Sequence, residues 1–132
     1  MDNRPIGIFD SGVGGLTAVR ELVARLPGEN LVYLGDTGRV PYGSRGRDTI
    51  VKYALGNISF LLEHGVKMIV AACGTVSSTL PAEMIAQLPC PYTGVVEPTA
   101  AEAARRSKNG HIGVIGTAAT IRSGSFPRAI RA

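Results

Sequence analysis

Five short apolar runs alternate with longer stretches of helical period, and that alternation leaves few folds open to the chain. The runs are residues 6–9, 31–34, 68–72, 92–96 and 112–115. Between them apolar residues recur at helical spacing over 16–26, 48–64, 77–88 and 99–108, each stretch closed by Gly or Pro. Strand and helix in turn predict an α/β fold, a parallel sheet flanked by helices and joined by right-handed crossovers. Such sheets bind ligands beyond the carboxyl ends of their strands. The residues that follow the runs, Asp10, Asp36, Cys73, Glu97 and Thr117, are therefore the first to inspect. The 17 glycines among 132 residues exceed the usual share of about 7%, carry no collagen-like period, and suit many tight strand-to-helix turns.

Several classes are set aside by composition. At 45% hydrophobic and 18% charged residues the chain is neither disordered nor fibrous. No apolar run reaches the roughly 18 residues of a membrane span, and the N-terminus leads directly into a strand pattern, which predicts a cytoplasmic protein without a membrane partner. Two cysteines, Cys73 and Cys90, and two histidines at no ligand-like spacing predict neither disulfides nor a metal site. The net charge of +4 is local: residues 1–100 carry eight basic against nine acidic side chains, and residues 101–132 six against one. Arg105, Arg106, Lys108, Arg122, Arg128 and Arg131 have only Phe126 as an aromatic among them, a poor footprint for nucleic acid.

Chemistry concentrates at three turns. The first run opens into Asp10-Ser11-Gly12-Val13-Gly14-Gly15, a turn whose backbone N–H groups can hold an anion at a helix start. Gly12, Gly14 and Asp36 form part of a dinucleotide fingerprint, but Thr17 stands where the third glycine belongs and Asp10 would oppose a pyrophosphate. Asp10 is a helix cap or a functional carboxylate, and Ser11, which can also cap, would free it. Cys73 follows an apolar run and precedes Gly74-Thr75-Val76-Ser77-Ser78, a strand end beside a helix start, where a thiol can serve as base or nucleophile. The other reading is a small buried hydrophobe. Cys90, between Pro89 and Pro91, reads as structural, and His64, just before Gly65, as a cation at a helix end. The polar stretch 35–43 reads as a functional loop with Tyr42 as a pocket wall, and Thr117 and Thr120 cap a helix or bind an anion.

Together these segments resemble the cofactor-independent aspartate/glutamate racemase family. The matching stretches are Ile6-Gly7-Ile8-Phe9-Asp10-Ser11-Gly12-Val13-Gly14-Gly15-Leu16-Thr17, Gly35-Asp36-Thr37 with Arg39-Val40-Pro41-Tyr42-Gly43, Ala72-Cys73 with Thr75, Gly94-Val95-Val96-Glu97-Pro98, and Gly113-Val114-Ile115-Gly116-Thr117 with Thr120-Ile121. The opening stretch is closer to the glutamate-acting members. The resemblance implies an isomerase with a two-lobed fold and no cofactor, inverting glutamate at Cα to supply D-glutamate for peptidoglycan. One cysteine takes the α-proton and a second returns a proton to the opposite face. On this sequence it makes Cys73 one acid/base and Asp10 its carboxylate helper. It makes Ser11, Pro41, Tyr42, Gly43, Thr75, Thr117 and Thr120 the substrate-holding set. Position 74, where the family has an asparagine that contacts substrate, is Gly74. The family's second cysteine, with its threonine and histidine, has no counterpart here, and Cys90 does not match it.

The resemblance also implies that residues 1–97 form the first lobe, with Asp10 and Cys73, and that 98–132 begin the second, with the chain stopping short of its end. Glu97-Pro98 is the expected boundary, and Pro127 reads as the first residue of a further helix. Self-association is a further expectation. The competing reading is a catalytically silent racemase-like binding or interaction domain, motivated by Gly74.

Overall fold

The computed structural model describes all 132 residues. β1 (Ile6–Asp10) is buried at all five positions, as a strand must be when helices cover both faces of its sheet. It pairs in parallel with β2 (Leu31–Gly35) on one side and β3 (Met68–Ala71) on the other, and β3 carries β4 (Tyr92–Thr93). The order is β2-β1-β3-β4. In register Asp10 lies beside Gly35 and Phe9 beside Ala71. Asp10, the β2 exit and Cys73 therefore leave the sheet at one edge.

The helices follow from their apolar faces. α2 (Arg47–Glu63) buries Ile50, Ala54, Asn57, Ile58 and Leu61, a stripe at helical spacing that packs with Phe9, Ile69 and Val76. It ends at His64, whose Nδ1 lies 2.8 Å from the Phe60 carbonyl, and Gly65 follows at φ +67, the left-handed stop that favours glycine. α1 (Leu16–Arg25) buries no residue fully, and Leu16, Val23 and Leu26 are exposed. No helix is long and apolar enough to cross a membrane.

Three expectations are corrected. Residues 112–115 form no strand, and Ile115 is 98% exposed. A strand exists only through its partner, and the sheet ends at the two-residue β4 with no ladder for this run to join. Ile112 and Val114 instead line an apolar groove with Ala103, Phe126 and Ile130. The stretch 77–88 is two short helices, α3 (Gly74–Thr79) and α4 (Ala82–Ile85), because Pro81 lacks an N–H and holds Leu80 extended at φ −66, ψ 123. The run 92–96 is strand for two residues only, since α5 (Val96–Arg106) starts at its end, with Pro98 tolerated in the first turn. Glu97-Pro98 thus lies within a helix. The helix expected after Thr117 is α6 (Ala118–Ser123) and the one expected at Pro127 is α7 (Ser125–Arg131), the two hinged at Gly124 with φ +65. α7 begins two residues before Pro127.

Candidate active site

The turn after β1 is organised by Asp10. Its Oδ2 accepts the N–H of Gly15 at 2.9 Å and of Gly12 at 3.3 Å. Of the two roles open to Asp10, the one its Oδ2 fills is that of holding the turn. The carboxylate holds the turn, and Ser11 faces the thiol, with Cys73 Sγ donating to Ser11 Oγ at 3.7 Å. Across the sheet edge Tyr33 donates its hydroxyl to the Gly12 carbonyl at 2.8 Å. Burial, then the charges of Asp10 and Cys73, push the Tyr33 phenol up, so it stays a neutral donor.

Cys73 sits between β3 and α3 in extended conformation, only 4% exposed. The next residue, Gly74, is the first of α3, and a Cβ built there would meet nothing within 4 Å. One residue on, Thr75 Oγ1 lies 2.9 Å from Thr117 Oγ1, which lies 3.0 Å from Thr120 Oγ1. Thr117 also caps α6, accepting the Thr120 N–H at 3.3 Å. Both expected roles, cap and member of a hydroxyl cluster, fall to the same threonine. Ser77 ties the strand end down from below, donating to the Ala71 carbonyl at 3.1 Å and accepting the Val95 N–H at 3.1 Å.

The loop 35–43 reaches this cluster through Gly43. Its carbonyl accepts the Ala119 N–H at 3.3 Å, and a Cβ at Gly43 would fall 2.5 Å from the Thr117 side chain. Pro41 is exposed beside it. Tyr42 is buried, and its hydroxyl donates to Asp36 Oδ2. Asn57 Nδ2 donates to the same hydroxyl at 2.9 Å, and Arg39 bonds both Asp36, at 2.7 Å, and Asn57, at 3.3 Å. The Arg39 guanidinium lies 4.1 Å from the centre of the Tyr53 ring. Burial alone would raise the Asp36 carboxyl, but the hydrogen bonds from Arg39, Tyr42 and Asn57 outweigh it and hold it below the usual carboxylate range. A depressed folded pKa stabilises at neutral pH and is lost as pH falls through it, on the acid side of about 4. Tyr42→Phe leaves Asn57 and Asp36 short of a partner in a buried setting, and urea titration at pH 7 is expected to show a loss of about 1–3 kcal/mol.

The structure thus brings together Ser11, Cys73, Gly74, Thr75, Thr117, Thr120 and Gly43. It does not bring in Glu97, exposed on α5, or Cys90, which packs beside the core and whose thiol burial pushes up. No group of acidic, His and Cys side chains is arranged to hold a metal ion. Sequence reasoning missed Tyr33, Ser77 and Asn57. Asn57 left a signal, a lone amide in phase with the buried stripe of α2.

The family profile described as Asp/Glu/Hydantoin racemase matches residues 9–132, from the end of β1 through the whole of this site. The chain belongs to this racemase family. It is 50% identical over 130 residues to the glutamate racemase of Streptococcus pneumoniae serotype 19F (strain G54), covering 98% of this chain and 49% of that protein. The solved glutamate racemase from Aquifex pyrophilus superposes with a TM-score of 0.93 at 47% identity, over 96% of this chain and 50% of that one. The glutamate racemase of Francisella tularensis subsp. tularensis SCHU S4, solved in complex with D-glutamate, gives 0.88 at 40% identity, over 99% of this chain and 49% of that one. The chain therefore spans about half the length of the racemases it matches. The parallel sheet whose strand ends carry Asp10 and Cys73 is the racemase fold.

Proposed function

We propose that the protein carrying this chain is a glutamate racemase, an isomerase that interconverts L- and D-glutamate without a cofactor and supplies D-glutamate for peptidoglycan in the cytoplasm. The observation that carries the reading is the thiol of Cys73 held against Ser11 at the strand edge, beside the Thr75–Thr117–Thr120 hydroxyls. A thiolate at that place can take a proton from one face of Cα, and the hydroxyl cluster with the Gly43 loop can hold a carboxylate. Asp10 uses Oδ2 to shape the turn, and Oδ1, which makes no hydrogen bond in the protein, is the oxygen that would serve as the carboxylate helper. The residues we assign are Cys73 and Asp10 for chemistry, with Ser11, Pro41, Tyr42, Gly43, Gly74, Thr75, Thr117 and Thr120 around the substrate. Of these, Tyr42 acts by fixing the loop through Asp36 and Asn57. The opposite face of Cα calls for a second acid, which we assign to the half of the family's length that lies outside these residues. Residues 1–97 would be the first lobe and 98–132 the start of the second. The exposed apolar side chains of α1 support a homo-oligomer.

The test is direct. The full-length protein in D2O is expected to convert L-glutamate to a racemic mixture while placing deuterium at Cα, read by circular dichroism and proton NMR. Absence of both, in a folded protein that still binds glutamate, would favour a silent binding domain. Position 74 gives a finer check. Because space is open there, Gly74→Asn is expected to leave Tm unchanged or slightly raised, glycine being about 1 kcal/mol poorer than alanine in a helix. The added amide is expected to lower KM for glutamate about tenfold, as one more polar contact of about 1–2 kcal/mol would. An unchanged KM would place residue 74 away from the substrate.

A further inference from the structure

The turn that carries Ser11 is held by few contacts. Just beyond Ser11 it reaches into solvent, with Val13 68% exposed and Gly14 exposed, so packing does little to fix it. Gly12, the residue directly after Ser11, is instead fixed by hydrogen bonds from two sides. Its N–H donates to Asp10 Oδ2 at 3.3 Å, and its carbonyl accepts the Tyr33 hydroxyl at 2.8 Å. The second bond is the shorter, and no other donor in the protein reaches that carbonyl. Tyr33 stands on β2, outside the turn, and so ties it to the sheet.

The thiol is anchored separately. Ala72, just before Cys73, donates its N–H to the Phe9 carbonyl at 2.9 Å, and the Cys73 carbonyl accepts the Ser77 N–H at 2.9 Å. Cys73 is therefore fixed by β1 and α3, and Ser11 by the turn. The two meet at 3.7 Å, which leaves the turn little room to move before the contact is lost. The turn and Tyr33 are close to the thiol's own strand end. A Cβ built at Gly15 would lie 3.1 Å from both the Tyr33 hydroxyl oxygen and the Ala72 Cβ.

We propose, on the reading of Cys73 as the base, that Tyr33 is a positioning residue whose hydroxyl, through the Gly12 carbonyl, holds Ser11 against the thiol. When the Cys73 proton leaves, the Ser11 hydroxyl can turn and donate to the sulfur, and a donor kept in place steadies the charge. Burial, then the charges of Asp10 and Cys73, keep the Tyr33 phenol protonated, so Tyr33→Phe removes a hydrogen bond and no charge. The ring and its packing stay.

Alkylation of Cys73 by iodoacetamide in the full-length protein, read by peptide mapping, tests this without any need for turnover. Tyr33→Phe is expected to slow it at least about threefold, as the loss of one hydrogen bond acting through Ser11 would. In racemisation of L-glutamate kcat is expected to fall about tenfold, because proton transfer is sensitive to small misplacement. KM should stay within about twofold, since Thr75, Thr117, Thr120 and the Gly43 loop are held by other elements. In a Ser11→Ala background the same change is expected to add less than about twofold to either loss, because the contact that Tyr33 serves is already gone. Val32→Ala, next to Tyr33 on the same strand, trims the core margin without touching Gly12, and is expected to lower Tm while both rates stay within about twofold. Three results would each overturn the proposal: alkylation and kcat of Tyr33→Phe within twofold of wild type, losses that multiply fully with those of Ser11→Ala, or equal losses in Val32→Ala. A wild type that does not racemise glutamate, with alkylation still slowed by Tyr33→Phe, would remove the racemase reading and leave the hold of Tyr33 on the thiol standing.

Discussion

Replacing Cys73 with alanine in the full-length protein is expected to abolish racemisation of L-glutamate. Inversion at Cα needs a base on one face and an acid on the other, and groups that act as a unit do not lose rate additively, so removing one costs nearly what removing both does. A loss of roughly a thousandfold or more in kcat is the expected scale for such a group. The change removes one sulfur from a buried position and should leave the fold in place, which far-ultraviolet circular dichroism would verify. Cys90→Ala is the matched control. Cys90 is only partly buried at the margin of the core and is not among the residues assigned to the site, so its loss should leave turnover within about twofold. If Cys73→Ala keeps more than a tenth of the wild-type rate, the thiol is not the base and the proposed chemistry falls. By the same two-sided requirement, residues 1–132 alone are expected to give no measurable turnover.

Gly35→Ala is expected to give the largest loss of stability among the glycine-to-alanine changes near the site. A Cβ at residue 35 would lie 2.5 Å from the Gly12 carbonyl oxygen, closer than real Cβ atoms come, and the obstacle is backbone. That carbonyl is also held by the Tyr33 hydroxyl at 2.8 Å, so it cannot move aside without breaking a second contact. Forcing the two apart should cost about 1–3 kcal/mol, several degrees in Tm. It should also shift the turn that places Ser11 against Cys73, so kcat is expected to fall with stability. Gly28→Ala, where a Cβ would meet nothing within 4 Å, should be neutral or slightly stabilising. Thermal melts of the two variants side by side would decide, and equal Tm values would refute the close approach of β2 to the first turn.

What periodicity could and could not reveal has a physical basis. The runs at residues 6–9, 31–34 and 68–72 became strands because each finds a partner within the chain, and parallel central strands read as plain apolar runs. The run at 112–115 has the same composition but no partner, and pairing is not written in a strand's own residues. Pro81 was a visible breaker within the 77–88 stretch, and the helical pattern on either side of it concealed the interruption. At the site, the strand-end rule pointed to Asp10 and Cys73 from order alone, and it reached Thr117 through a run that is no strand. Which of Asp10 and Ser11 holds the turn was not legible, because either side chain can cap and only the path of the turn decides. Tyr42 likewise read as a pocket wall. That its hydroxyl turns to Asp36 depends on Asn57, in contact with that hydroxyl but fifteen residues away in sequence.

The lock around Tyr42 bears on how quickly the site can be filled. Asp36, Arg39, Tyr42 and Asn57 hold one another whether or not anything occupies the strand edge, and Gly43 is already seated on α6. An incoming ligand meets this loop in its final shape and spends none of its interaction energy on ordering it. Encounter at this strand edge then proceeds without a slow folding-in step of the loop.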